Sequence, residues 1–269
     1  MYGAILGDII GSPFEFDRGE KTKDFELFSA YSCFTDDTVM TVAVAEALLN
    51  AGYDASVDEI KEACIDSMKK WGQQYPNCGF GGRFIWWVLG QDREPYGSYG
   101  NGSAMRVSSA GWLYDTIERT REVARATAEV THNHPEGIKG AEATAVVIFM
   151  ARKGASKEDI KKYVETEFDY DLDRSLDEIR PTYRHVEDCM HTVPEAIIAF
   201  LAGEDYEDTV RNAVSLGGDT DTLGAIAGAM AEAMYGVPGE LVVEARKRMA
   251  PEMWDVIADN YINVFLEKE

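Results

Sequence analysis

The sequence predicts an all-α fold, a single-domain multi-helix bundle whose central helices are buried. Three observations predict it. Apolar residues recur at helical spacing through most of the 269 residues, few segments alternate with period two over five or more residues, and three of the helical segments are apolar on nearly every face. A surface helix shows one apolar stripe, so a helix that is apolar all round must be surrounded by others. No Pro/Gly/Ser-rich linker and no internal repeat divides residues 1–269.

The elements follow in order. Gly3, Gly7 and Gly11 recur every fourth residue, which puts them on one helical face and predicts close packing against a neighbouring helix. Asp37-Thr38 opens a helix over Val39 to Leu49 that ends before Asn50-Ala51-Gly52. Asp58 to Trp71 is amphipathic, with Ile60, Cys64, Ile65 and Met68 at helical spacing. Thr120 to Val130 is shorter, and Gly137 to Arg152 is apolar on most faces. Ser156 to Phe168 starts with a Ser156-x-x-Asp159 capping pattern. Val193 to Leu201 places Pro194 in its first turn, where a missing N–H costs nothing. Thr209 to Ser215, Leu223 to Tyr235, Gly239 to Met249 and Pro251 to Leu266 complete the series. The Gly/Ala-rich Leu223 to Tyr235 lets neighbouring backbones approach closely.

Charge excludes some functions. With 48 acidic and 26 basic side chains the formal net charge is −22, a field that repels phosphate backbones and argues against sequence-independent nucleic-acid binding. No run of 18 apolar residues predicts a membrane span, and the N-terminus lacks a basic region and an A-x-A site, so a cytoplasmic protein is expected. Cys33, Cys64, Cys78 and Cys189 form no C-x-x-C pair and are expected as reduced thiols.

Two acidic clusters stand at the mouths of buried helices: Thr35-Asp36-Asp37-Thr38, and Gly217-Gly218-Asp219-Thr220-Asp221-Thr222. One reading is capping, in which Asp and Thr satisfy orphan amides and the helix dipole. One carboxylate per helix suffices for that, and here there are two. The other reading is a metal centre, because four carboxylates at one end of a core repel unless cations are present, and hard divalent ions accept carboxylate and hydroxyl oxygens. The absence of His and Cys beside them argues against zinc.

Three further segments carry polar groups. Glu15 follows Pro13 in an otherwise apolar run, where a carboxylate could serve as a general base. Gly97 to Arg106 holds three glycines in six residues, which suits either a turn or an anion-binding loop of backbone amides; no P-loop pattern is present. Thr131-His132-Asn133-His134 fits a helix terminus or a solvated loop, and lacks the context of an HNH nuclease.

Taken together, GAILGDIIGSPFEF, FTDDTVMTVAVAEALL, GSYGNGSAMR, THNHPEGIKGAEA and SLGGDTDTLGAIAGAMAEAMYG resemble the ADP-ribosylglycohydrolase family, in family order over residues 3 to 236. The resemblance implies an all-α fold, two divalent cations (Mg2+ or Mn2+), and hydrolysis of the bond between ADP-ribose C1″ and an acceptor. By motif position it implies Thr35, Asp36, Asp37, Asp219, Asp221 and Thr222 as metal ligands. Gly100, Asn101, Gly102, Ser103, Met105 and His132 would contact phosphates and ribose, and Glu15 or Asp36 would move the proton. The expected partner is an ADP-ribosylated substrate, acted on by a monomer. The competing readings are another dimetal hydrolase acting on a nucleotide or phosphoester, and a non-catalytic ADP-ribose-binding relative.

Overall fold

A computed structural model describes the backbone of residues 1–266 and the side chains of residues 1–259. Its helices are α1 (Tyr2–Gly11), followed by a 3-10 turn at Ser12–Phe14, then α2 (Asp36–Ala51), α3 (Val57–Gln74), α4 (Gly82–Leu89), α5 (Gly102–Met105), α6 (Ser108–Leu113), α7 (Ile117–Glu129) and α8 (Pro135–Arg152). They continue as α9 (Lys157–Phe168), α10 (Leu176–Ile179), α11 (Cys189–Ala202), α12 (Tyr206–Val214), α13 (Thr220–Tyr235), α14 (Gly239–Arg248) and α15 (Pro251–Leu266). Among the described residues no strand forms; extended pairing is confined to one bridge between Gly100 and Asp188. No described helix is long and apolar enough to cross a membrane, and the four cysteines are free thiols.

The centre of the molecule is the contact of α1 with α13. Gly3, Gly7 and Gly11 face Gly228, Gly224 and Thr220, and a Cβ placed on any of the three α1 glycines would fall inside the van der Waals shell of the carbonyl oxygen opposite. Glycine removes that obstacle, so two backbones touch where side chains would otherwise hold them apart. Polar groups then lock the pair. Thr220 Oγ1 donates to the Gly11 carbonyl at 2.8 Å, and the Tyr206 hydroxyl donates to the Gly3 carbonyl at 2.8 Å. α1 has no side-chain cap of its own; Glu232 of α13 accepts from the Gly3 amide at 2.9 Å and does that work from outside.

Asp8, buried inside α1, reaches across to the start of α2 in the same way. It accepts from the amides of Thr35 and Thr38 at 2.9 and 3.0 Å and from both threonine hydroxyls. α2, α8 and α13 are buried along most of their lengths, as their all-round apolar sequences require.

The helix over Val193 to Leu201 departs from expectation. It begins four residues earlier, at Cys189, because Asp188 accepts from the His191 amide at 2.9 Å and caps it. Pro194 therefore lies inside the helix rather than in its first turn. The Met190 carbonyl loses its intrahelical donor there, a cost the buried packing of α11 must offset. α4, α5, α6 and α10 are short or interrupted and carry too few turns for periodicity to reveal them.

Replacement of Gly7 by alanine should destabilise the fold by about 3 kcal/mol or more, because the methyl group meets fixed backbone rather than a side chain that can move. Denaturant unfolding of G7A measures this. A loss below about 1 kcal/mol would show that α1 and α13 part freely, contrary to the packing described.

Candidate functional site

The α1–α13 contact brings the ends of three buried segments to one cavity of about 290 Å3. Asp36 and Asp37 arrive from the first turn of α2, Asp219, Asp221 and Thr222 from the start of α13, and Glu15 from the residue after the 3-10 turn. Gly100, Asn101, Gly102 and Met105 line it beside α5, with His132 behind them. Ligand oxygens of Glu15, Asp219 and Asp221 lie within 4.8 Å of one another.

The geometry decides between capping and a further role for each acid. Thr35 is the cap of α2, accepting from the Asp37 amide at 3.3 Å, and its hydroxyl is also bonded to Asp8 at 2.9 Å. The Thr35 hydroxyl also lies 3.5 Å from Asp37 Oδ2, at the edge of the acidic cluster. Asp219 occupies the cap position of α13 yet makes no capping hydrogen bond; its carboxylate turns into the cavity, where Asn101 Nδ2 donates to it at 2.7 Å. Thr222 Oγ1 donates to Asp37 Oδ2 at 3.2 Å, while Asp37 Oδ1 is buried with no hydrogen-bond partner. A buried carboxylate oxygen without a donor is costly, and a cation is the group that would satisfy it.

Burial, and then mutual repulsion, raises the proton affinity of the acids. Burial, and then the Asp221 carboxylate, push Asp8 up to about 7 and Glu15 up to about 8. The same two causes hold Asp36, Asp37 and Asp219 well above the ordinary carboxylate range. Asp8 is the exception in role, since its oxygens are already filled by four donors. The remaining acids offer hard oxygen donors to a common space, and this donor set fits magnesium or manganese better than zinc.

Two arginines, Arg83 and Arg106, also line the cavity. Arg106 is 1% exposed; it donates to Thr131 Oγ1 at 2.8 Å and to the Thr127 carbonyl at 3.2 Å, and its Nε is buried without a partner. Burial lowers Arg106 to about 10, which leaves it a cation at neutral pH. Arg83 lies over the Tyr96 ring at 4.8 Å and donates to the Tyr96 carbonyl. Burial, with Arg106 and Arg83 adding to it, holds His132 well below its usual range, so the imidazole is neutral.

Two expectations for the glycine-rich segment change. Ser103 is fully buried and donates to the Gly137 carbonyl at 2.7 Å, so it packs α5 against α8 and does not line the cavity. Several loop amides are committed inside the protein: Gly97 to Asn133 Oδ1 at 2.8 Å, Gly100 to Ser98 Oγ at 3.1 Å, and Asn101 to the Glu187 carbonyl at 2.9 Å. Positive charge in the cavity comes chiefly from Arg83 and Arg106, which the sequence reading did not single out. It also missed Asp8, Phe16, Tyr96, His185 and Glu187. For Asp8 the signal was a lone acid inside an apolar glycine-spaced run; the others carry no local pattern. Trp87 is core, Trp86 is exposed, and neither lines the cavity. His134 caps α8, accepting from the Glu136 amide at 3.2 Å.

Comparison with known proteins gives the family. The chain matches the ADP-ribosylglycohydrolase family model over residues 1–266. ADP-ribosylhydrolase ARH3 of Bos taurus is 26% identical over 340 residues, a match covering 97% of this chain and 88% of that protein. ADP-ribosyl-dinitrogen reductase glycohydrolase of Rhodospirillum rubrum is also 26% identical, covering 87% of this chain and 84% of its own length. A solved structure described as an ADP-ribosylglycohydrolase-related protein complex superposes with a TM-score of 0.71 at 23% identity, over 98% of this chain and 95% of that one, and shares the fold. With a family match that runs almost from end to end, this chain belongs to the ADP-ribosylglycohydrolase family.

Proposed function

We propose that the protein hydrolyses the bond between C1″ of ADP-ribose and an acceptor, with two divalent cations, magnesium or manganese, held by Asp36, Asp37, Asp219, Asp221 and Thr222. The observation that carries this reading is that one cavity is lined both by the clustered acids and by Arg83 and Arg106. A ligand that pairs a pyrophosphate with a hydroxyl-rich sugar matches both kinds of group at once. Thr35, bonded to Asp8, acts on this reading by fixing the first turn of α2.

When bound, the cations supply Lewis acidity and neutralise the clustered carboxylates. Arg83, Arg106 and the neutral His132 hold the phosphates and ribose, which fixes C1″ over the acids. Departure of the acceptor from C1″ with its bonding pair builds oxocarbenium character, and the departing acceptor takes up the proton that the attacking water gives up. The water that attacks gives its proton to Glu15 or Asp36. Both line the cavity in which that water would be held.

A panel of ADP-ribosylated arginine, serine, nucleobase and ester acceptors, incubated with magnesium, manganese or chelator, should yield free ADP-ribose from at least one acceptor in a metal-dependent way. No ADP-ribose under any condition would sink the hydrolase reading, and inorganic phosphate as product would replace it with a phosphohydrolase. Asp219→Ala and Asp36→Ala should each abolish manganese binding in calorimetry while circular dichroism stays helical; unchanged affinity in both would remove them as ligands.

The acids also set a pH dependence. In chelator, Asp8 and Glu15 keep protons in the folded chain up to about 7 and about 8, whereas their ordinary values are 3.8 and 4.5. The folded state therefore holds extra protons between those limits, and the stability they contribute is complete below about pH 4 and lost as pH rises toward about 8. The chelated protein should melt at falling temperature from about pH 5 to about pH 8, and saturating manganese should flatten that decline. A chelated melting temperature that climbs across this window would contradict the assignment.

A further inference from the structure

Glu15 is followed by two residues whose backbone is in the left-handed region, Phe16 at φ 62° and Asp17 at φ 55°. Neither is glycine, and for a bulky aromatic such a conformation persists only where the surroundings impose it. The turn it faces is left-handed too, with Gly217 at φ 74° and Gly218 at φ 78°, immediately before Asp219. Here glycine is required twice over. A Cβ on Gly218 would come within 2.9 Å of Tyr183 Cε1 and 3.0 Å of the Arg184 carbonyl oxygen.

The two turns are tied reciprocally. The Phe16 amide donates to the Gly218 carbonyl at 2.9 Å, and the Gly218 amide donates to Asp17 Oδ1 at 2.9 Å. The second oxygen of the same carboxylate, Oδ2, accepts from the His185 amide at 3.1 Å. One side chain thus binds the Glu15 turn to the Asp219 turn and to the segment that brings His185 and Glu187 to the cavity. Lys21 backs it, with Nζ 3.8 Å from Asp17 Oδ1 and donating to the carbonyls of Tyr183 and Arg180. The Asp17 side chain is 32% exposed, so the ion pair adds little and the two directed hydrogen bonds do the holding.

We propose that Asp17 is a positioning residue: its carboxylate clasps the turn that carries Glu15 to the turn that carries Asp219, and thereby sets the cation affinity of the cavity. Glu15 and Asp219 offer ligand oxygens within 4.8 Å of each other although 204 positions separate them in sequence, from 15 to 219. Their approach depends on a strained turn that nothing within Glu15 itself maintains. The inference rests on the cation reading of the cavity given above.

Asp17→Asn keeps the size of the side chain but leaves one oxygen for two amides, and turns an NH2 group toward the other. Manganese affinity, measured by calorimetry on the full chain, is expected to weaken at least about tenfold, while the melting temperature in chelator moves little. A purely structural role would lower the chelated melting temperature and leave affinity in place. Adding Phe16→Gly to D17N should recover part of the affinity, because glycine holds a positive φ unaided. Affinity within about twofold of wild type in D17N, or no recovery in the double variant, overturns the clasp. Should D17N fail to fold, Asp17→Ser, whose hydroxyl can reach only one of the two amides, is judged by the same affinity criterion. A wild-type chain that binds no manganese refutes the cation reading, and the inference with it; wild-type binding preserved in the variant refutes the clasp alone.

Discussion

The backbones of α1 and α13 lie against each other with no side chain between them, and the rest of the molecule is arranged by that contact. Because Gly3, Gly7 and Gly11 oppose Gly228, Gly224 and Thr220, the C-terminal end of α1 is fixed beside the N-terminal end of α13. Glu15 then leaves α1 next to Asp219 and Asp221. Asp8, one turn earlier on another face, reaches α2 and holds its first turn by four hydrogen bonds. Three helix ends are thus set in register by one run of glycines. A methyl group in that run would displace the site as well as the core.

That convergence creates an electrostatic problem with one economical solution. Buried carboxylates within a few ångströms cannot all ionise in a medium of low polarity, and without cations they retain protons. Donors fill both oxygens of Asp8. One oxygen of Asp37 has no donor. The difference between these two buried aspartates separates an acid that holds the fold together from acids arranged for a ligand. Capping also divides: Thr35 caps α2, whereas Asp219, at the equivalent place on α13, leaves its helix uncapped and faces the cavity.

Much of this was legible in the sequence, because helical periodicity and four-residue glycine spacing are local signals. The buried helices, the α1 packing face and the acidic clusters all show themselves within a dozen residues. Pro194 misled, since a proline is equally compatible with a first turn and with a buried interior position, and only the Asp188 cap distinguishes them. Ser103 misled because a serine in a glycine-rich stretch resembles a ligand contact until its hydroxyl is seen bonded to Gly137. Arg83, Arg106, His185 and Glu187 were silent. Arg83, His185 and Glu187 reach the cavity by tertiary packing of segments whose own composition is unremarkable, Arg106 ends a glycine-rich stretch without standing out in it, and no spacing rule connects residues 83, 106 and 187.

On the proposed function the ligand bears a pyrophosphate, which the net charge of −22 opposes and the arginines of the cavity favour. Surface charge is screened over about 8 to 10 Å at physiological ionic strength, so distant acids contribute little inside a cavity. Arg106 is 1% exposed, and a cation in such surroundings acts on its neighbours with far less screening than any surface glutamate. Its Nε is buried without a hydrogen-bond partner. Neutral His132 beside it adds a hydrogen-bonding group without competing for the charge. The field of the whole chain therefore governs which macromolecules approach it, while on the proposed function two arginines and a handful of carboxylates lining one small cavity govern what it holds.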